Sequence, residues 1–163
     1  MADELKVRRA KQEDIESIAD LMYRLKKLNE EFDTNFEVSA KAKERILTSL
    51  KESIPDSKGC ILLVGTLKQK VVSMIRAELR ERKFYEPPVD VRITDFYILP
   101  EVRRRGLGGI MISKLREEMQ KAGLSLLTVE YPAFNVIAKN FYEKLGFKPN
   151  ITVLRYMERD GKN

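Results

Sequence analysis

The chain contains no histidine, no tryptophan and a single cysteine, Cys60. Without histidine, every Ser-His or Cys-His mechanism is excluded, along with imidazole metal ligands. One thiol excludes an internal disulfide and any CxxC site. No apolar run approaches the roughly 18 residues of a membrane span. The opening Met1-Ala2-Asp3-Glu4 is acidic with no apolar run behind it, so no secretory leader is expected. The expectation is a soluble, cytoplasmic chain with no membrane partner and no metal.

What is present suits one globular domain, residues 1–163. A chain of this size buries roughly two-thirds of its unfolded surface, and 43% apolar residues suffice for a core. Lys and Arg number 31 against 25 acids, a net charge of +6. Such an excess can serve nucleic acid. Here the signs alternate, as in Lys43-Glu44-Arg45, which describes a solvated mixed surface and disfavours nucleic acid.

Residues 4–10 read as a short strand. Ile15, Ile18, Leu21, Met22, Leu25 and Leu28 then fall at helical spacing, behind Glu13 and Asp14 where the helix dipole favours anions. Residues 30–37 break the period as an acidic loop. A second helix is predicted over 39–53, with Ser39 as its N-cap, and 55–59 as a turn. Strands over 60–67, 71–80 and 90–98 follow, the first two joined by a turn at residues 68–70. A long helix runs from Gly106 to Gly123, then a strand over 124–131. A shorter helix over 135–145 ends before Gly146, and a last strand covers 151–157. Three consecutive strands imply antiparallel pairing, and the unit at 90–131 implies one parallel crossover. The expected fold is α/β: a central mixed, mostly antiparallel sheet of about six to seven strands with helices on both faces.

The most specific local feature is Arg103-Arg104-Arg105-Gly106-Leu107-Gly108-Gly109, after a strand and opening a helix. The first amides of a helix lack backbone partners and, with the dipole, attract anions. Glycines admit a phosphate close to the backbone, and arginines add fork-shaped contacts. A di- or polyphosphate ligand is expected. One alternative is a flexible loop with solvated arginines. Another is a dinucleotide fold, with Glu130 about 20 residues on as the ribose acid. Against it, Met111 stands where GxGxxG needs its third Gly, and residues 99–105 separate the strand from Gly106. The third is the pyrophosphate of coenzyme A.

These motifs carry a resemblance. Arg103-x-x-Gly106-x-Gly108 is similar to the Gln/Arg-x-x-Gly-x-Gly/Ala signature of the GNAT acyltransferase superfamily. Asn135, Ala138, Phe141-Tyr142 and Leu145-Gly146-Phe147 resemble its second signature, and residues 7–18 its opening strand and helix. Element order agrees over residues 4 to 158. The resemblance implies acetyl-CoA as acyl donor. Its pantetheine would lie along Phe96-Tyr97-Ile98 and its pyrophosphate on the amides of Arg104, Arg105, Gly106, Leu107, Gly108 and Gly109, with Arg103 in the same signature. An N–H near Ile98 would polarise the thioester carbonyl.

The acceptor in this family is usually an amine. An amine of pKa about 10.4 must lose a proton at pH 7, at a cost of about 4.6 kcal/mol. Without histidine, a carboxylate or ordered water must take it. Glu130 is the candidate base, placed as the acting glutamate is in the ribosomal-protein N-acetyltransferase branch. The alternative is an exposed strand glutamate or ion-pair partner. Asp95 is the other acid, catalytic or structural. Tyr142 matches the family's tyrosine and would protonate the leaving thiolate. From ordinary values near 10 and 8.5 that transfer is uphill by about 2 kcal/mol. Its alternative is packing. Asn135 caps its helix, touches the cofactor, or both. Phe141 and Phe147 read as core, and Cys60 as a buried thiol rather than an acyl carrier.

The acceptor is a small molecule, peptide or protein amine. The acidic loop (Glu30, Glu31, Asp33, Glu37) would attract a cationic one. A homodimer is an open possibility, since dimers are common among relatives. Two rival readings are a non-catalytic acyl-CoA-binding module, and a nucleic-acid binder using Arg103, Arg104 and Arg105.

Overall fold

Lys68 and Gln69 both hold left-handed backbone, φ 48° and 66°. That is the two-residue turn whose twist matches paired strands. It joins β2 (Cys60–Leu67) to β3 (Lys70–Glu81) in an antiparallel hairpin with Val64 opposite Met74. β4 (Val89–Ile98) pairs antiparallel with β3, and β1 (Lys6–Arg9) antiparallel with β2. β5 (Leu126–Val129) joins β4 in parallel, giving the order β1-β2-β3-β4-β5. This computed structural model describes residues 5–54 and 59–158. The acidic Met1 to Glu4 and most of the turn read at 55–59 lie outside them.

Two helical layers cover the sheet. α1 (Ile15–Glu30) and α2 (Ala42–Ser53) pack on one face, where Ile18, Leu50, Val64 and Met74 are fully buried or nearly so. α3 (Leu107–Lys121) and α4 (Val136–Lys144) pack on the other, over Leu63, Ile75, Val91 and Ile93. The parallel crossover and both helix-covered faces stand as the sequence implies. Among the described residues no helix is long and apolar enough to cross a membrane.

The strand count is corrected: five strands among the described residues, not six or seven. Residues 151–158 adopt no strand, and Ile151, Val153, Leu154, Tyr156 and Met157 are exposed. β-branched and aromatic content reflects fitness for a pleated surface, not the existence of a partner edge. Pro149 removes a ladder donor just before this segment. Arg155 then pairs with Asp33 at 2.5 Å, drawing the segment toward the 3-10 turn at Thr34–Phe36.

A bulge in β4 positions the site. Asp95 lies opposite Arg76 but Ile93 lies opposite Ala77, so Thr94 is the extra residue. Side-chain alternation therefore switches phase. Val91, Ile93 and Phe96 join the α3/α4 core, while Tyr97 and Leu99 join the α1/α2 core. The bulge turns Asp95 toward α1.

Candidate active site

The parallel pairing of β4 with β5 ends where the site begins. Pairing runs from Asp90 opposite Leu126 to Ile93 opposite Val129, and ends with Glu130 N–H donating to Ile93 O at 3.1 Å. β4 continues to Ile98 without a partner on that side. Leu99 N–H donates to Val72 O at 2.9 Å. Antiparallel hydrogen bonds alternate, so the peptide groups of Phe96 and Ile98 turn away from β3, toward the gap. Arg103 closes the strand end: its Nε donates to Ile98 O at 2.8 Å and its guanidinium lies 5.1 Å from the Tyr97 ring centre. Arg103 thus belongs to the scaffold of the turn. Arg104 and Arg105 are exposed and make no hydrogen bond or ion pair among the described residues.

The turn reaches α3 through left-handed backbone at Arg104 (φ 65°) and Gly106 (φ 75°). Among the described residues no backbone carbonyl takes the amides of Leu107, Gly108 and Gly109. The glycines serve different ends. A Cβ on Gly108 would fall 2.7 Å from the Phe141 ring, so this glycine lets α4 approach α3. A Cβ on Gly109 would meet nothing within 4 Å.

Gly109, Glu130 and Tyr142 open onto one cleft of about 1500 Å³. Lys26 and Asn29 of α1, Glu37, and residues 145–153 are also in its walls. Tyr142 is 6% exposed and held by three rings. Tyr131 stacks on it at 5.7 Å and 7°, and Phe141 and Phe147 meet it edge-on at 5.0 and 5.3 Å. Burial, then Tyr131, raises its pKa well above the usual phenol value. Its hydroxyl makes no hydrogen bond among the described residues. Asn135 caps α4, its Oδ1 accepting from Ala138 N–H at 3.0 Å, and does not line the cleft.

The two candidate acids differ in placement. Glu130 is half exposed, with Arg80 Nη2 3.7 Å from Oε1. Asp95 is 4% exposed and bound by Lys26, by Thr94 Oγ1 at 2.9 Å and by Arg76 at 3.8 Å. It does not line the cleft. The acidic loop is largely self-satisfied. Glu30 accepts from Lys27 and Val38 N–H, and Asp33 from Asn35 N–H and Arg155. Only Glu37 of the four faces the cleft. Reading by sequence passed over Tyr131, Lys26 and the charges of β3. The last left a signal: Arg76, Glu78 and Arg80 alternate with the apolar Ile75, Ala77 and Leu79 along β3.

The sequence model of the Acetyltransferase (GNAT) family matches residues 23–147, which takes in the glycine turn, Glu130 and Tyr142. The chain belongs to the GNAT family. This GNAT chain is 37% identical over 65 residues to an alanine N-acetyltransferase of ribosomal protein bS18 from Escherichia coli K12. That stretch is 39% of this chain and only 43% of the relative, less than half its length. Among solved structures, a possible acetyltransferase of Clostridium difficile 630 superposes with a TM-score of 0.77 at 20% identity. The match covers 96% of this chain and 99% of that one. An aminoglycoside N-acetyltransferase, AAC(6')-Iy, in complex with CoA reaches 0.80 at 15% identity, over 98% of both chains. At these identities the structures speak for the fold, which the GNAT chain shares over 96% and 98% of its length respectively.

Proposed function

We propose that this protein transfers an acetyl group from acetyl-CoA to a primary amine, directly, in a ternary complex. The observation that carries this reading is the convergence of an acid, a phenol and an open glycine on one cleft beside the end of the β4–β5 pairing. Acetyl-CoA supplies the activated thioester. The amides of Leu107, Gly108 and Gly109 hold its diphosphate, with Arg104 and Arg105 closing over it. The edge at Phe96, Tyr97 and Ile98 orients the pantetheine arm, and Ile98 N–H polarises the carbonyl.

Glu130 takes the proton of the incoming ammonium, directly or through water. Its exposure on the cleft suits that exchange better than the enclosed Asp95. Tyr142 stands as hydrogen-bond donor to the departing sulfur. Because burial raises its pKa, full proton transfer is steeper than ordinary values suggest. A strong hydrogen bond to the thiolate is therefore its contribution. Arg103 and Asn135 act by shaping the turn and α4.

The acceptor is a peptide, protein or small-molecule amine, met in the cytoplasm. The bS18 alanine enzyme and the aminoglycoside enzyme supply the probes: a peptide with N-terminal alanine, and neamine. Free-thiol release with acetyl-CoA tests the reading. Release that depends on one of these or on a wider amine panel supports it. Tight acetyl-CoA binding with no release on any amine makes the protein an acyl-CoA-binding module instead.

A further inference from the structure

We propose that Arg80 is a positioning residue that holds Glu130 over the cleft, and that a ladder of charges on β3 and β4 anchors Arg80. The inference rests on the reading of Glu130 as the proton acceptor.

The ladder follows from strand geometry. Alternate residues of a strand share a face, so Arg76, Glu78 and Arg80 point the same way from β3. Each has an opposite charge across the strand pair: Arg76 faces Asp95, Glu78 faces Arg92, and Arg80 faces Asp90. Directly opposed charges of this kind attract. The bulge at Thr94 keeps the first of these pairs on the same face as the other two.

The pairing of Arg80 is then decided by competition. Asp90, directly opposite, is already occupied. Arg92 donates to its Oδ2 at 2.7 and 3.1 Å, and Thr128 Oγ1 donates to its Oδ1 at 2.5 Å. Arg80 turns instead to Glu78, with Nη2 at 3.1 Å from Oε2, and to Glu130 at 3.7 Å. The other oxygen of Glu78 accepts from Arg76 Nη1 at 2.8 Å. Arg76 in turn lies 3.8 Å from Asp95, which Lys26 of α1 also grips. An unbroken run of alternating charge thus joins a buried carboxylate at one end to the cleft carboxylate at the other.

Glu130 needs such a tether. Its backbone N–H makes the last hydrogen bond to β4, but its side chain is half exposed, and Arg80 is the one side chain that holds its carboxylate among the described residues. A base displaced by about 1 Å can cost on the order of 100-fold in rate.

A double-mutant cycle tests this, with acetyl-CoA and the peptide with N-terminal alanine or neamine, whichever turns over. Arg80→Met should lower kcat/KM for the acceptor by roughly 10- to 100-fold and leave KM for acetyl-CoA unchanged. Arg80→Lys should recover part of the loss. In a Glu130→Gln background, Arg80→Met should cost nothing further. Full additivity of the two losses overturns the proposal, as does full activity of Arg80→Met beside an impaired Glu130→Gln. Should Glu130→Gln itself be fully active, the assignment of the base fails, and this inference with it. Crystal structures supply a readout independent of turnover: in Arg80→Met the Glu130 carboxylate should leave its observed position. Retention of that position also overturns the proposal.

Discussion

A side chain at Gly108 would meet the ring of Phe141 at 2.7 Å, whereas one at its neighbour Gly109 would meet nothing. Gly108→Ala should therefore destabilise the fold by about 1–3 kcal/mol, because the α3–α4 contact must open. Gly109→Ala should keep the urea midpoint yet weaken CoA binding by about tenfold, some 1.4 kcal/mol. Equal effects of the two on both measurements would contradict this division.

The phenol of Tyr142 is enclosed by three rings and bonded to no protein group among the described residues. Removing the hydroxyl leaves no protein partner unsatisfied. Tyr142→Phe should hold the melting temperature and lower kcat by about 100-fold. An active Tyr142→Phe enzyme would remove the phenol from the chemistry.

Asp95 and Glu130 should separate by phenotype. Asp95 is a buried carboxylate held by the part-exposed Lys26 and Arg76, and Asp95→Ala should cost about 1–3 kcal/mol of stability through the charge-assisted hydrogen bonds it loses. Glu130→Gln should leave stability within about 0.5 kcal/mol and act on rate alone. Denaturant titration beside steady-state kinetics decides it. A stable but inactive Asp95→Ala enzyme would exchange the two roles.

Much of this was legible beforehand. The helical stripe of Ile15, Ile18, Leu21 and Met22 is the buried face of α1. The glycine turn opens α3, and Gly123 and Gly146 both take positive φ just beyond their helices. What stayed hidden depends on three dimensions. Nothing in residues 151–157 tells whether a free edge will meet them. The purpose of Gly108 depends on Phe141, which is remote in sequence. Asp95 owes its direction to one extra residue in β4, and Arg80 owes its partner to the prior capture of Asp90. Alternating charge on β3 was visible in the sequence, but its destination required the sheet.

Acid should weaken the fold through Asp14. Burial pushes this carboxyl up, but hydrogen bonds from Arg8 at 2.7 Å and Lys11 N–H at 2.8 Å outweigh it, leaving its pKa below the ordinary value. The folded chain then binds fewer protons than the unfolded one. The resulting stability is present above the ordinary pKa near ~3.9 and is lost as pH falls through the lower folded value. Asp14→Asn should cost about 1–3 kcal/mol at neutral pH and flatten that acid slope. Urea midpoints from neutral to acid pH give the comparison, and an unchanged neutral midpoint would count against the Arg8–Asp14 anchor.

Titration calorimetry with acetyl-CoA tests the central claim most directly. Saturable one-to-one binding is expected in the wild type, markedly weaker in Gly109→Ala and unchanged in Tyr142→Phe. An absence of binding heat at millimolar acetyl-CoA would contradict the account.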